Sequence, residues 1–378
     1  MMPLAETSWI VEQAKSLGFD LCGVVRAEKF PELERTPEWL ARGYGGEMNY
    51  LADPRRRDPR TAMPGIRSAI VGLLNYSTGQ PLSTDRALPL EDGKPGGWIS
   101  RYAWGDDYHD VLRERLDALV ESMRERITGP FEARTYVDTG PVQERVLAKY
   151  AGLGWLGKNT LLLNQMLGSF FFLGVILTTL DLEPTLGVNE LPAPDLCGSC
   201  RRCLDACPTQ AFVEPYVMDA RKCISYLTIE LRGAIPEELR GLMGNHVFGC
   251  DICQDVCPWN RRSPVVTLPR FQPRVFPPAE GNHAGASLPP QDESLYLPRL
   301  EWLLGLSEAD FRRLFRGSPV KRTKWRGLMR NACIALGNSG LRPGTADQSR
   351  IKALLDRLAA SEDQVLAESA QWALSRIQ

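Results

Sequence analysis

CGSCRRCLDACP, residues Cys197 to Pro208, has the C-x2-C-x2-C-x3-C-P spacing with which bacterial ferredoxins bind iron–sulfur clusters. Short loops allow the first three cysteines to cap one cluster. The fourth, Cys207, precedes a proline that starts a turn, so its thiol points toward a neighbouring cluster. The spacing therefore predicts a two-cluster module.

A second group, CDICQDVCP from Cys250 to Pro258, keeps the last three positions of this pattern and lacks the first. Cys223 is the only nearby cysteine to fill it. The crossed rule then gives one cluster to Cys197, Cys200, Cys203 and Cys257 and the other to Cys207, Cys223, Cys250 and Cys253. A pair of structural zinc sites is the alternative, although zinc modules rarely need a three-cysteine run closed by Cys-Pro.

Length and charge limit the remaining possibilities. A chain of 378 residues has room for two or three domains, so it is more than a ferredoxin. Lys plus Arg is 45 and Asp plus Glu is 46, so nucleic-acid binding requires a local basic patch. The most apolar run, 170–180, is too short to span a bilayer. With reduced thiols, these features predict a soluble, cytoplasmic protein without membrane contact.

Periodicity predicts the main elements of the N-terminal half. They are a helix over 6–17 with Thr7 or Ser8 as N-cap, strands over 19–25, 68–74, 134–137 and 170–180, and a helix through Val111 to Met123. Cys22 is predicted to be a core residue. The Pro/Arg-rich loop 53–65 is by default solvated surface, with Arg60 as a possible anion contact.

Two acidic or basic positions invite alternative interpretations. Asp107-Tyr108-His109 approaches the D-x-H-x-x-G signature of a cobalamin-ligating histidine, but Leu112 replaces the glycine, so His109 is predicted to be a helix-start or structural residue. Asp138 follows a strand and precedes Thr139-Gly140-Pro141, with Pro141 expected near the first helical position. Asp138 is therefore either an N-cap or an acid in a cleft.

The C-terminal part begins with a Pro-rich stretch, 264–298, that predicts an extended wrap or linker. Beyond it, 312–330 carries eight basic residues and no acid, which favours contacts to a phosphate backbone. Apolar faces over 325–336, 351–359 and 365–377 predict helices of HEAT type.

Four further motifs complete the pattern: IxRYAWGxDYH at 99–109, VDTGPVxER at 137–145, AGLGWLGKNTLL at 151–162 and KRTKWRGLMRNACIALGN at 321–338. Together with the cysteine framework, they resemble the epoxyqueuosine reductase family along nearly the whole chain. The resemblance implies a cobalamin-dependent enzyme with two 4Fe-4S clusters that reduces epoxyqueuosine in the tRNA anticodon loop to queuosine. A reductive dehalogenase-like enzyme, which would share these cofactors and act on an organohalide, is the alternative.

The fold implied is α+β. It comprises an α/β cobalamin-binding catalytic domain over 1–185, a ferredoxin-like 4Fe-4S domain over 186–263, a Pro-rich wrap or linker over 264–300 and a HEAT-like tRNA-binding region over 301–378. The resemblance also implies a base-off cobalamin and an electron donor of the ferredoxin or flavodoxin type, and we expect a monomer.

The resemblance assigns roles to individual residues. Asp138 corresponds to the proposed proton donor, and desolvation against the corrin would raise its pKa and keep it protonated. The expected cobalamin contacts are Arg60, Arg101, Asp138, Lys158, Asn159, Leu162, Ser169 and Ser225. The expected tRNA contacts are Lys321, Arg322, Lys324, Arg326 and Arg330.

Overall fold

The computed structural model describes residues 3–85, 90, 93–187, 190–276, 292–341 and 346–377. Its helices are α1 (Pro3–Ser16), α2 (Arg35–Ala41), α3 (Tyr108–Arg126), α4 (Glu144–Tyr150), α5 (Arg202–Asp205), α6 (Ile224–Ile229), α7 (Glu237–Arg240), α8 (Ile252–Asp255), α9 (Leu300–Gly305), α10 (Glu308–Leu314), α11 (Lys324–Gly337), α12 (Ala346–Ala359) and α13 (Gln364–Arg376). Its strands are β1 (Leu21–Arg26), β2 (Ser68–Asn75), β3 (Trp98–Ile99), β4 (Ala133–Tyr136), β5 (Trp155–Leu156), β6 (Leu162–Leu163), β7 (Phe171–Thr178), β8 (Phe212–Glu214), β9 (Val217–Met218), β10 (His246–Phe248), β11 (Val275–Phe276) and β12 (Glu293–Ser294).

The N-terminal part is built on a four-stranded sheet in the order β1-β2-β7-β4. All three of its pairings are antiparallel. The prediction of an α/β domain is wrong in this respect, because α/β sheets are mostly parallel. Strands β2 and β7 are buried almost throughout, and a continuously apolar strand is more typical of parallel sheets covered on both faces.

Helices cover both faces of this sheet. Helices α1 and α3 pack on one face, where Ile10 and Leu116 meet Ile70. Helix α4 packs on the other, where Val146 meets Val71. Helix α1 starts at Pro3, so the predicted N-cap at Thr7 or Ser8 is wrong. The Thr7 hydroxyl instead donates to the Glu183 carbonyl at 2.8 Å, which ties the helix to the chain beyond β7.

The cysteine module is made of short helices and a small hairpin, β8–β9. It is joined to the N-terminal part by β10, which pairs in parallel with β3. Asp251, next to Cys250, accepts hydrogen bonds from the Arg101 amide at 2.8 Å and the Trp98 indole at 3.2 Å. The module therefore lies against the segment that precedes α3.

The C-terminal helices are the three predicted ones, α11 to α13, together with α9 and α10. Helix α11 packs against α9, α13 and β10. Their core also contains Trp98 and Trp104, so residues that were assigned to the first domain pack with the C-terminal helices. The HEAT-type description and the domain boundaries stay predictions.

The described part of the predicted wrap lies along the N-terminal part. The Arg270 carbonyl accepts from the Asp106 amide at 2.7 Å, and the Val266 amide donates to the Ser77 carbonyl at 2.7 Å. Gly105 is needed here, because a Cβ at this position would lie 2.1 Å from the Arg270 carbonyl oxygen. The rest of the wrap, 277–291, lies outside the described residues. Within the described ranges, no helix is long and apolar enough to cross a membrane.

Candidate active site and cluster-binding module

Four cysteines from the two Cys-Pro motifs line one cavity of about 220 Å³: Cys197, Cys200, Cys203 and Cys257. Two short helices, α5 and α8, pack together here and bring the motifs side by side. The cavity is several times the roughly 30 Å³ that a water molecule occupies, so its size suits a polyatomic cluster better than one zinc ion. Among the described His, Cys, Asp and Glu side chains, no group of three is placed to hold a single metal ion.

Polar contacts hold the loop of this first group. Lys158 Nζ donates to the Cys200 carbonyl at 3.0 Å and to the Gly198 carbonyl. Burial raises the pKa of Cys203 to about 11, and Cys257 and Cys197 contribute to the rise because like charges at close range disfavour ionisation. Bound iron cations would remove that repulsion.

The other four cysteines, Cys207, Cys223, Cys250 and Cys253, also lie together. Burial raises the pKa of Cys250 well above its ordinary value, and Cys223 and Cys253 add to this rise. Burial acts in the same way on Cys253, where Cys223 and Cys207 are among the contributors. The amide of Ala211 donates to Cys207 Sγ at 3.3 Å. Hydrogen bonds of this kind to sulfur are one means by which proteins set a cluster's reduction potential.

Asp138 lies between β4 and α4, and its backbone is left-handed at φ 56°. Helix α4 begins only at Glu144, with Gln143 at the N-cap position, so the N-cap interpretation of Asp138 and the helix-start position of Pro141 are both wrong. A non-glycine residue in this conformation is strained, and such strain is concentrated at functional sites. The Asp138 side chain is 68% exposed, so the loop presents a carboxylate to the solvent-accessible space beside Tyr108 and His109, which we call the cleft.

A chain of polar side chains leads from Asp138 toward the C-terminal region. The Tyr108 hydroxyl donates to Asp138 Oδ2 at 3.0 Å. His109 Nε2 lies 3.8 Å from the same oxygen, which is an ion-pair contact and too long for a hydrogen bond. His109 Nδ1 is 2.7 Å from Asp107 Oδ1, and Lys321 Nζ is 2.6 Å from Asp107 Oδ2.

The charges along this chain decide where the proton resides. Burial lowers the pKa of His109, but Asp107 and Asp138 outweigh it and raise the pKa to about 9. Protein atoms around the loop displace water and raise the pKa of Asp138 even though its side chain is exposed, but His109 and Tyr108 outweigh this effect and the net pKa is lowered. The expectation that desolvation against the corrin keeps Asp138 protonated concerns the cobalamin-bound protein and stays a prediction. At neutral pH the proton is on the imidazole beside it.

Glu144, the first residue of α4, is a second carboxyl group near Asp138. Burial raises its pKa to about 7, and the Asp138 charge contributes to this rise. Three buried polar atoms around this cleft have no hydrogen-bond partner among the described residues: His109 Nε2, Glu144 Oε1 and Arg56 Nε. Buried polar atoms are nearly always paired, so these three favour a polar ligand or ordered water in the cleft.

The residues predicted to contact cobalamin are distributed over several places. Lys158 and Asn159 line the cavity of the first cysteine group. The Ser169 hydroxyl accepts from Asn260 at 3.0 Å and from Gln254 at 3.1 Å, and Leu162 lies in the core. The others are Ser225, which follows Cys223 closely in α6, and Arg60, which is paired with Asp58 on an exposed loop.

Arg101 does not fit the predicted contact, because it is 2% exposed and its terminal nitrogens are occupied. Nη1 donates to the Thr78 carbonyl at 3.0 Å, and Nη2 donates to the Gln80 carbonyl at 3.0 Å. The side chain holds the loop after β2 in place. This structural role follows from the burial of Arg101 and could not be read from the sequence motif.

Tertiary contacts also change the interpretation of the basic run 312–330. Although the run has no acid of its own, acids from elsewhere pair with it: Asp107 with Lys321, Glu230 with Arg322 and Asp363 with Arg326. Within this run, exposed Arg316 and Lys324 have no ion pair with a described residue.

Arg330 cannot be a tRNA contact in this structure. It is 1% exposed, and it donates to the carbonyls of Leu227, Leu231 and Gly233 at 2.5, 2.8 and 2.7 Å. It therefore stabilises the end of α6, the helix that follows Cys223. The prediction placed it on the surface because charged residues are almost never fully buried unless they are paired.

Sequence reasoning missed Tyr108 and Glu144 as neighbours of Asp138 and Lys321 as a partner of Asp107, and it treated His109 as a helix-start or structural residue. His109 does lie in the first turn of α3, which starts at Tyr108 and is capped by Asp107, so the helix-start position is confirmed. The missed signal was the repetition of acids and bases inside two motifs, Asp107 to His109 and Asp138 to Glu144.

Comparisons with known proteins agree with this arrangement. Residues 196–260 match the family described as "4Fe-4S double cluster binding domain", and residues 56–139 match "Epoxyqueuosine reductase QueG, DUF1730". Epoxyqueuosine reductase of Pseudomonas aeruginosa is 39% identical over 97% of this chain and 93% of its own length. That of Gloeobacter violaceus is 44% identical over 88% of this chain and 96% of its own.

Solved structures show the same likeness. A crystal structure of epoxyqueuosine reductase with an epoxyqueuosine-modified tRNA-Tyr stem loop has a TM-score of 0.82 and 30% identity, covering 98% of this chain and 90% of that one. A Bacillus subtilis epoxyqueuosine reductase with its catalytic aspartate loop swung out of the active site has a TM-score of 0.79 and 29% identity, with the same coverage. The chain belongs to the epoxyqueuosine reductase family.

Proposed function

We propose that this protein reduces epoxyqueuosine in the anticodon loop of tRNA to queuosine. Removal of the epoxide oxygen as water leaves a carbon–carbon double bond and consumes two electrons and two protons. The observation that carries the proposal is the exposed Asp138–His109 pair in a chain whose two Cys-Pro motifs fold together around one four-cysteine cavity. Family membership supplies the substrate class, since a relative is known with an epoxyqueuosine-bearing stem loop. The reductive dehalogenase-like alternative is not favoured, because the relatives above are epoxyqueuosine reductases along nearly their whole length.

The electron path uses the cysteine module. Cys197, Cys200, Cys203 and Cys257 would hold one 4Fe-4S cluster, and Cys207, Cys223, Cys250 and Cys253 would hold the other. A 4Fe-4S cluster accepts and donates one electron at a time. Two such clusters in series therefore suit an external one-electron donor of the ferredoxin or flavodoxin type. The first set lies at a cavity edged by exposed Arg202, so we propose that electrons enter at the first cluster.

Cobalamin is proposed to bind in the cleft next to Asp138. When bound, it supplies a low-valent cobalt, a reductant or nucleophile that no side chain can replace. His109 Nδ1 contacts Asp107, and the pKa of about 9 keeps the imidazole protonated at neutral pH, so His109 would not coordinate the cobalt, in keeping with the proposed base-off form. The three unpartnered buried polar atoms around the cleft are the contacts that this chain offers to a polar ligand.

The chain's own residues manage the proton. At neutral pH His109 is protonated, and its Nε2 lies 3.8 Å from Asp138 Oδ2. The Tyr108 hydroxyl donates a hydrogen bond to the same oxygen at 3.0 Å. We assign to this pair the delivery of a proton to the departing epoxide oxygen, with Asp138 in contact with the substrate and His109 reprotonating it. Asp107 and Lys321 orient His109, because they fix its Nδ1 side. The second proton has a nearby source in Glu144.

The tRNA is expected to lie across the cleft and the C-terminal region. Lys321, Arg322, Lys324 and Arg326 remain candidates for this surface, and exposed Arg316 joins them. The paired residues contribute less net charge than the sequence suggested. A monomeric, cytoplasmic protein stays part of the proposal.

The function is tested with anaerobically reconstituted protein, hydroxocobalamin, a chemical reductant and tRNA that bears epoxyqueuosine. We expect queuosine in the nucleoside digest, about eight irons per chain and a base-off corrin spectrum. Unchanged epoxyqueuosine in protein with full iron and corrin content would reject the proposed activity. Binding of corrin without any tRNA affinity would point back to a small-molecule reductase.

A further inference from the structure

Tyr50 is an exposed aromatic residue flanked by two arginines at the active-site cleft. It lies in the turn Asn49–Ala52 and is 47% exposed. The guanidinium carbons of Arg56 and Arg322 each lie 5.8 Å from the centre of its ring. A single exposed aromatic residue needs no explanation, but one with two guanidinium groups close to its ring, one of them from the distant C-terminal region, does.

Both arginines are held in place by contacts away from the ring. Arg322 Nε and Nη2 donate to the two carboxylate oxygens of Glu230 at 3.1 and 3.0 Å. Arg56 Nη1 donates to the Val142 carbonyl at 3.1 Å. Since Val142 belongs to the loop that carries Asp138, the turn of Tyr50, the catalytic loop and the C-terminal region meet at this point.

The site adjoins the catalytic carboxylate. Arg322 is among the charges that lower the pKa of Asp138. Burial and Glu230 raise the pKa of Tyr50, and the Asp138 charge adds to this rise. Tyr50 is therefore a neutral ring at neutral pH, close to the cleft and open to solvent on part of its surface.

This combination fits an unpaired nucleobase. Single-stranded RNA is recognised by stacking its bases on aromatic rings and guanidinium planes, and arginines next to such a ring also attract the phosphates. A small organic substrate would need an enclosed apolar pocket, which an exposed ring between two cations does not provide. We propose that Tyr50, with Arg56 and Arg322, binds an anticodon-loop base adjacent to epoxyqueuosine by stacking, an inference that rests on the proposed function.

The test compares Tyr50→Leu, which removes the ring, with Tyr50→Phe, which keeps it. Stem loops that carry 2-aminopurine at successive anticodon-loop positions report binding by anisotropy and stacking by fluorescence. Because base–aromatic stacking is worth about 1–3 kcal/mol, we expect Tyr50→Leu to weaken binding at least about fivefold and Tyr50→Phe to bind within about twofold of wild type. At one position, 2-aminopurine should be dimmer in the wild-type and Tyr50→Phe complexes than in the Tyr50→Leu complex.

Tyr44→Leu is the matched control, because the Tyr44 ring also faces an arginine, Arg221, at 5.8 Å but has no part in the proposed site. It should bind like wild type, and iron content should be unchanged in all variants. Tyr50→Leu with wild-type affinity and unaltered 2-aminopurine fluorescence would overturn the stacking site while leaving the reductase function intact. Wild-type protein that neither binds the stem loop nor converts epoxyqueuosine would overturn both.

Discussion

The cysteine module and the basic run 312–330 are both local sequence signals, yet the folded chain treats them differently. The two cysteine motifs come together as their spacing predicted, with Cys257 in the cavity of the first three cysteines. Five of the eight basic residues in the run pair with acids outside it, namely Glu308, Asp310, Asp107, Glu230 and Asp363, and Arg330 is buried. The positions of metal ligands thus follow from short sequence spacings, whereas the net charge of a surface depends on the residues from other regions that pack against it.

The largest expected effect concerns Cys223, the one proposed ligand that no local motif contains. Cys223→Ala should lose about four of about eight irons and nearly all activity, because the second cluster would keep only three thiolates. Iron and acid-labile sulfide analysis of anaerobically purified protein measures this. The controls are Cys22→Ala and Cys333→Ala, two buried cysteines outside the module that should keep full iron. Full iron content in the Cys223→Ala variant would show that Cys223 is not a cluster ligand.

Asp138 is the last residue in a series of charged side chains that begins with Lys321 of the basic run and continues through Asp107 and His109. Asp138→Asn should slow single-turnover reduction by a pre-reduced enzyme by about 10² to 10⁴, the usual worth of general acid catalysis. The free energy of unfolding should change little, because Asp138 caps no helix. A rate within about threefold of wild type, with clusters and corrin bound, would remove the acid from the mechanism.

The proton on His109 offers a smaller and more direct measurement. Its pKa of about 9 lies above the ordinary 6.5, so its contribution to stability is fully present below about pH 6.5 and is lost as pH rises through about 9. Asp107→Asn should lower this pKa, because Asp107 is the main group that raises it.

NMR titration of histidine-labelled protein can follow this, since the chain has three histidines. His246 serves as an internal control, because burial lowers its pKa. A His109 resonance that titrates near 6.5 in the wild type would contradict the assignment of the proton to His109.

The smallest effect is expected at the exposed end of the basic run. Lys324→Gln should weaken tRNA binding a few-fold and reduce the slope of log K against log salt by about 1, as for the loss of one phosphate contact. Arg312→Gln is the control, because Arg312 is already paired with Glu308 at 2.6 Å. If both substitutions weaken tRNA binding equally, or if neither does, ion pairing in the structure does not predict which basic side chains contact the tRNA.

Much of the fold could be predicted where the pattern is local. The α3 and α11–α13 helices and the strands β1, β2, β4 and β7 lie close to their predicted positions, since apolar periodicity reports directly on burial. Antiparallel pairing could not be predicted, because strands buried on both faces lose the alternation that distinguishes the two kinds of sheet. The N-cap assignment of Asp138 failed because the loop runs on to Gln143 before α4 begins.

The sequence by itself predicted the two sets of four cysteines, the family and a catalytic role for Asp138, because metal-ligand spacing and catalytic motifs are short and chemically restrictive. Only the tertiary structure decided that the proton is on His109, that Arg330 and Arg101 are buried, and that Tyr50 meets Arg56 and Arg322. Asp107 and Lys321 are separated by more than two hundred residues in the chain and by 2.6 Å in the fold. Coulomb interactions depend on that second distance, which no local pattern contains.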